Sequence, residues 1–199
     1  MMRSVDKAPQ FSSLSNITNF STRIVTMEDI KGSNFTLRHW RETDAVTLQR
    51  LADNPKIAAN LYDRFPSPYS LADAEFFIGL HLGKTPAISL VIDIDGELAG
   101  TIGINFREDV FAKSPLFGYW LGEPYWGRGI MSEAAILAKD YAFTNFDIIC
   151  LQAGVFSYNP ASMRVLEKAG FVKQGILKAG VYKLGQVIDE HIYMAYPPK

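Results

Sequence analysis

From about Asn34 onward, apolar and polar positions fall into regular blocks. FTLRHW (35–40) reads as a short strand. RETDAVTLQRLADNP (41–55) follows as a helix, with Ala45, Leu48, Leu51 and Ala52 on one face. Thr43 is placed to cap it and Pro55 to stop it. FPSPYS (65–70) is a two-proline loop. Ser70 then opens a second helix, SLADAEFFIGLHLG, with Leu71, Ala74, Phe77, Ile78 and Leu82 inward. AISLVIDIDGELAGTIGINF (87–106) gives two β-rich runs around Asp95-Gly96, a pair that favours a tight hairpin. PLFGYWLGE is the next strand. GIMSEAAILAKDYAF is helical, with Ile130, Ala134, Leu137, Ala138 and Tyr141 on one face. DIICLQAGVFS is almost continuously apolar, which predicts a central strand buried on both faces. NPASMRVLEKAG is a helix ending at Gly170. Two strands close the chain, about 171–177 and 187–195, joined through turns at Gly180 and Gly185.

The predicted order is β-α-α-β-β-β-α-β-α-β-β. Hairpins early and a strand-helix-strand crossover late make the sheet mixed, an α+β (mixed α/β) fold. The crossover strands, 116–122 and 148–157, should be parallel neighbours. Residues 1–30 are rich in Ser and Asn without periodicity. They read as a tail, partly ordered or disordered, before a domain of residues 31–199.

Composition narrows the class. A chain of 199 residues is one domain, or one with an appendage. At 48% hydrophobic and 21% charged it is not a disordered, collagenous or coiled-coil chain. A net charge of -1 shows no basic excess, which argues against nucleic acid or anionic membrane as a partner. The single cysteine, Cys150, lies in an apolar run and reads as a small buried hydrophobe. No run approaches the ~18 apolar residues of a membrane span. The start of the chain lacks an apolar signal stretch. The cytoplasm is the default compartment, and the sequons at Asn16, Asn19 and Asn34 read as chance occurrences. The histidines, His39, His81 and His191, show no metal-ligand spacing, so no metal is expected.

The chemistry concentrates in GYWLGEPYWGRGIMSEAA, residues 118–135. A strand runs into a turn with Gly127 and Gly129, and the turn opens a helix. The first amides of a helix lack internal partners and carry the positive end of the dipole, so such a turn can hold phosphate. Arg128 can add charge. With 15 glycines in the chain, a lone G-x-G pair is expected about once by chance. A tight turn without a ligand therefore fits as well. The pattern is neither the dinucleotide fingerprint nor a P-loop. The second element is NPASMRVLEKAGF, where Asn159 and Ser162 start a helix. Asn159 can simply cap it, with Pro160 in the first position.

Together, in this order and about thirty residues apart, these two segments resemble the GNAT superfamily of acyl-CoA-dependent N-acetyltransferases. The resemblance is nearest to the ribosomal-protein N-terminal acetyltransferase (RimJ/RimL) branch. It extends over LRHWRETDA, FPSPYSLADAEFFI, GELAGTIG and GVYKLGQVIDEHIYMAY, about 165 residues in all. It implies a GNAT fold: a twisted, mostly antiparallel sheet of six to seven strands, with helices on both faces. In that fold the fourth and fifth strands are a parallel pair that splays apart to admit pantetheine. Carried onto this chain, Trp120, Leu121 and Gly122 would meet the pantetheine amides. The turn Trp126, Gly127, Arg128, Gly129, Ile130, Met131 and Ser132 would hold the pyrophosphate of acetyl-CoA. Asn159 and Ser162 would face the thioester end as catalytic groups, with Ser162 the hydroxyl acid. Phe65, Tyr69 and Tyr119 would line the acceptor site, beside Pro66 and Pro68.

Three positions depart from the family. Pro124 stands where Gln or Arg is common. Leu166 replaces the acid tyrosine of many members, and Leu116 replaces a glutamate base. Glu123 and His191 are candidates for that base, beside a water-relayed one, although Glu123 also reads as a solvated turn residue and His191 as a packed histidine. The implied activity is direct acetyl transfer to a primary amine, either a protein N-terminal α-amine or a small amine, by a monomer or homodimer. A non-catalytic acyl-CoA-binding or regulatory protein of the same fold is the alternative.

Overall fold

The computed structural model describes residues 28–84 and 88–198. The sequons at Asn16 and Asn19, and all but the end of the 1–30 segment, lie outside the described residues. The elements are β1 (Ile30–Lys31), β2 (Thr36–Arg38), α1 (Ala45–Ala52), α2 (Pro55–Ala58), α3 (Leu71–Gly79), β3 (Ser89–Ile94), β4 (Glu97–Asn105), β5 (Leu116–Leu121), α4 (Ile130–Asn145), β6 (Leu151–Phe156), α5 (Pro160–Lys168), β7 (Val172–Lys183) and β8 (Gln186–Ala195). Short 3-10 turns occupy Glu42–Asp44, Asp109–Phe111 and Glu123–Tyr125.

One eight-stranded sheet runs β1-β2-β3-β4-β5-β6-β8-β7. Each neighbouring pair is antiparallel except β5 and β6, which are parallel as their crossover through α4 requires. The sheet exceeds the expected six to seven strands because Ile30–Lys31 pairs with Leu37 and Thr36. Two residues are too few to show a hydrophobic period.

Side-chain alternation divides the core. Leu90, Ile92, Ala99, Ile102 and Phe117 pack toward α4 and α5. Val91 and Leu98 pack with Leu48, Leu51, Ala74 and Ile78 of α1 and α3 on the opposite face. The central strand β6 departs from the double burial expected of it. Leu151, Ala153 and Val155 are buried toward α4 and α5, but Gln152 is half-buried and Gly154 exposed. The helices α1 and α3 lie over β3 and β4, and Gly154 offers no side chain to bury.

Local chemistry explains other details. Asp95 and Gly96 both take positive φ, +53° and +90°, in the two-residue turn of the β3–β4 hairpin. Thr43 does not cap α1. It lies within the preceding 3-10 turn, where Asp44 closes back on the Arg41 N–H at 2.9 Å, and among the described residues no side chain caps α1. Pro55 begins α2 rather than only ending α1, with Asn54 accepting the Lys56 N–H at 2.9 Å. Ser70 caps α3 through a reciprocal capping box with Asp73, while Leu71 faces solvent. Gly180 is not a turn. β7 continues to Lys183, and its register shifts between Leu177 and Val181. Asp189 holds that bulge by accepting the Ala179 N–H at 2.9 Å and pairing with Lys178 at 2.7 Å.

A buried charge cluster locks the first strands. Arg38 is 2% exposed and pairs with Asp44 at 2.8 Å and Asp93 at 2.5 Å. Asp93 also accepts the Gly96 N–H at 2.8 Å, so one guanidinium ties β2 to the β3–β4 turn and to the start of α1. Removing the cation strands two buried carboxylates. Arg38→Met is expected to lower unfolding free energy by about 3–5 kcal/mol in urea melts.

Candidate active site

The parallel pairing of β5 and β6 stops at its beginning. Leu116 lies opposite Gln152, and no further rung follows. The Gly122 N–H bonds to Ala99 of β4, while the Gln152 N–H reaches Pro115 at 3.1 Å. Backbone groups in a strand alternate sides, so even-numbered residues of β5 bond to β4 and odd-numbered residues turn toward β6. Past the single rung, the amides of Tyr119 and Leu121 therefore face a gap. The Trp120 backbone turns to β4, opposite Thr101. The Leu121 carbonyl is already taken by the Trp126 indole N–H at 2.6 Å.

At the end of β5 the chain passes Gly122 and the 3-10 turn into α4. Gly127 and Gly129 have φ of +75° and +80°, and a β-carbon at either would meet nothing within 4 Å. The glycines are needed for backbone conformation, and the space beside them is open. Ile130 and Met131 bury their side chains in the core and leave their amides at the helix start. The amides of Ser132 and Glu133 close on the Gly129 carbonyl at 3.1 and 3.2 Å. Arg128 lies over the Tyr125 ring, 5.8 Å from its centroid. The Glu133 carboxylate accepts the Ser33 N–H at 2.7 Å and its hydroxyl at 2.8 Å, tying the segment before β2 to α4.

The two faces beside the gap differ. On the α4/α5 face, the Tyr119 and Ser162 hydroxyls share a hydrogen bond of 2.8 Å. The Tyr119 hydroxyl also reaches the Ser162 carbonyl at 3.1 Å. Burial pushes the Tyr119 phenol well above its ordinary range, so it stays protonated. Asn159 caps α5, accepting the Ser162 N–H at 3.0 Å. Leu166 is fully buried in the core.

The α1/α3 face carries aromatics. The Phe65 and Tyr69 rings lie 4.9 Å apart, and Phe65 stands edge-on to Trp120 at 6.3 Å. Tyr119 is not with them, because it projects to the opposite side of the sheet. Residues between α2 and α3 reach across to the later strands. Tyr62 lies 6.3 Å from Phe156, Tyr158 donates to the Ala59 carbonyl, and Asp63 pairs with Lys183 at 2.6 Å. Glu190 of β8 sits opposite Phe156 and leans over Gly154, where a β-carbon would collide with its carboxyl. Among the described residues it has no hydrogen-bond or ion-pair partner. Burial raises its pKa, and its charge helps burial to raise that of Tyr62.

The two bases suggested by sequence stand elsewhere. Glu123 is held by Lys56 and by Asn54, the latter at 2.8 Å, and these bonds keep its pKa below the ordinary value. His191 has the parity of Tyr193 and points to the α5 side, where burial lowers its pKa. Its Nδ1 is buried without a hydrogen-bond partner among the described residues.

The description of a GNAT acetyltransferase domain matches residues 34–172 of this chain. The chain belongs to the GNAT acetyltransferase family. This GNAT domain is 40% identical over 101 residues to a Bacillus subtilis (strain 168) protein named Probable N-acetyltransferase YjcK, covering 51% of this chain and 55% of that one. It is 33% identical over 104 residues to the ribosomal-protein-serine acetyltransferase of Escherichia coli (strain K12), covering 50% and 55%. The chain thus spans little more than half the length of these relatives. Its fold superposes on RimL, a ribosomal L7/L12 α-N-protein acetyltransferase solved with coenzyme A, with a TM-score of 0.74, 23% identity, and coverage of 85% of this chain and 98% of that one. Among the described residues of this GNAT domain, no helix is long and apolar enough to cross a membrane.

Sequence reasoning missed Glu190, Tyr62 and the Asp63–Lys183 contact. Two signals mark Glu190: an acid in the final strand at the parity of Ile192 and Met194, and a glycine inside the neighbouring apolar strand. The Glu123 assignment can be checked directly. Lys56→Met should raise the Glu123 carboxyl midpoint back toward 4.5 in a carboxyl-carbon NMR titration.

Proposed function

We propose that the chain is an acetyl-CoA-dependent N-acetyltransferase of the RimJ/RimL-like branch, acting on a primary amine: a protein N-terminal α-amine or a small amine. The observation that carries this reading is the interrupted ladder between β5 and β6. It leaves the amides of Tyr119 and Leu121 open beside a glycine turn that starts a long helix. Pantetheine has amides that suit the first feature, and pyrophosphate suits the second. The residues present therefore fit acetyl-CoA.

When bound, acetyl-CoA supplies an acetyl group activated as a thioester. The amides of residues 127–131 would hold its phosphates, with Arg128 adding charge. The Leu121 N–H would face the thioester oxygen as a preorganised donor. Ser162, bonded to Tyr119, would deliver a proton to the departing sulfur. Only modest acid help is needed, because a thiol has a pKa near 8.5. Asn159 would hold Ser162 in place by capping α5. Phe65 and Tyr69, with Trp120, would form one wall of the acceptor site. An α-amine, with a pKa near 8, is partly neutral at pH 7, whereas a lysine near 10.4 is not. The cofactor class points to a cytoplasmic enzyme.

The same reading treats residues 1–30 as an appendage to a catalytic domain of 31–199. The family match beginning at residue 34 and the pairing of Ile30–Lys31 with β2 support a boundary close to residue 30.

The decisive experiment is an acceptor screen, with thiol release from acetyl-CoA measured over peptide N-termini and small amines. Turnover of at least one class is expected. Coenzyme A binding without turnover would favour a non-catalytic acyl-CoA-binding protein. Gly127→Val should weaken coenzyme A binding in calorimetry at least about tenfold, or 1.4 kcal/mol. Unchanged affinity would remove the turn from the site. Ser162→Ala and Tyr119→Phe should each lower kcat roughly 10- to 100-fold with coenzyme A affinity nearly unchanged, the low end for acid catalysis.

A further inference from the structure

Glu123 is committed to Lys56 and Asn54, and His191 takes the α5 side of the sheet, so the described site still needs a group to take the acceptor's proton. Four observations converge on one side chain. Glu190 projects from β8 to the aromatic α1/α3 face, because Tyr193 and His191 take the other parity. It crosses β6 at Gly154, the exposed position without a side chain. Adjacent strands lie about 4.8 Å apart, so a carboxyl over β6 stands at the rim of the β5–β6 gap. It is half-buried and unpaired among the described residues, beside Tyr62 and Phe156. An unpaired carboxylate walled by aromatic rings suits a primary ammonium, which both the charge and the ring faces attract.

We propose that Glu190 is the catalytic base of this transferase: it binds the acceptor as a primary ammonium and takes its proton. The assignment rests on the acetyltransferase reading above. One ammonium N–H proton passes to a Glu190 carboxyl oxygen. The freed lone pair forms the N–C bond to the acetyl carbon. The C–S bond breaks, and its electron pair leaves on sulfur, which takes a proton from the Ser162–Tyr119 hydroxyl pair. The second proton lost by nitrogen balances that transfer, and Glu190 gives its own proton to water. Ammonium and thioester thus yield amide, thiol and one proton. Base and acid lie on opposite faces of the sheet, so the amine approaches through one face of the gap and sulfur is protonated from the other.

Burial moves the Glu190 pKa upward, toward that of the amine it serves. The titratable neighbour facing it is Tyr62, with Arg64 over that ring at 5.5 Å. With Glu190 ionised and the amine protonated as the reacting pair, kcat/KM rises with pH through the Glu190 pKa and falls through that of the amine.

The test compares wild type, Glu190→Gln and Glu190→Asp, using the amine found in the acceptor screen and benzylamine as a binding probe. Glu190→Gln should bind coenzyme A as wild type does. Its kcat/KM near pH 7 should fall about 10²- to 10⁴-fold. Its acidic limb should move up to the pKa of the free amine, because only amine already neutral can react. Glu190→Asp should recover part of the rate and an acidic limb below the amine pKa. Independently of turnover, the carboxyl-carbon resonance that Glu190→Gln removes should titrate above the ordinary glutamate range, and benzylammonium should lower its midpoint. A Glu190→Gln enzyme with unchanged kcat/KM and acidic limb, or a resonance indifferent to benzylamine, overturns the assignment while leaving the transferase intact. A wild type that binds coenzyme A and acetylates no amine removes the transferase reading and the base with it.

Discussion

A parallel strand pair that ends after one rung is the constraint on which the site depends. β6 keeps its partnership with β8 over its whole length, while β5 keeps its own with β4. The sheet stays continuous through both, yet opens between them. Backbone donors inside a sheet are costly to leave unmatched. The gap is thus an internal edge whose free groups favour an extended, amide-bearing ligand. Beneath the gap, Phe117 and Leu121 of β5 and Leu151, Ala153 and Val155 of β6 share one hydrophobic cluster with α4 and α5, so the two strands stay anchored to a common layer where their ladder has ended.

The gap also sorts chemistry by side. Strand parity sends Tyr119 toward α5 and Trp120 toward α1 and α3, although they are neighbours in sequence. Hydroxyls gather on one surface, and aromatic rings with a carboxylate gather on the other. A ligand lying between them would meet hydroxyls from one direction and aromatic rings with a carboxylate from the other. The same parity rule separates Glu190 from His191. The segment between α2 and α3 closes the second wall by reaching β6 through Tyr62 and the β7–β8 hairpin through Asp63.

Much of this was legible where the information is local. The Asp95-Gly96 turn needs two positive φ values, and that residue pair supplies them. The crossover between strands 116–121 and 151–156 needs a helix, and the 3.6-residue period of GIMSEAAILAKDYAF declares it. What escaped depends on distant partners. Gly180 resembles a turn residue until Asp189, from the next strand, pins Ala179 and Lys178 into a bulge. Thr43 resembles a cap, but it sits inside a 3-10 turn whose Asp44 is held by Arg38 and closes back on the Arg41 N–H. Within the site, Ser162 is visible as a first-turn hydroxyl, but its bond to Tyr119 spans 43 positions. Glu190 is an ordinary strand acid until Gly154 is known to lie beneath it. Local pattern encodes which face a residue takes; it does not encode what waits there.

The bulge in β7 carries a consequence for the whole molecule. β7 is the outer strand of the sheet, twelve residues long, with Ile176, Leu177 and Tyr182 exposed. A flat edge of that length and character is a template for another chain. Between Leu177 and Val181 the register breaks, Ala179 adopts a φ of +52°, and the Ala179 N–H turns inward to Asp189. An approaching strand therefore finds two short runs of donors out of step with each other, flanked by Lys173 and Lys178. The same carboxylate that shapes the hairpin thus also protects the outer edge of the sheet from pairing with another chain.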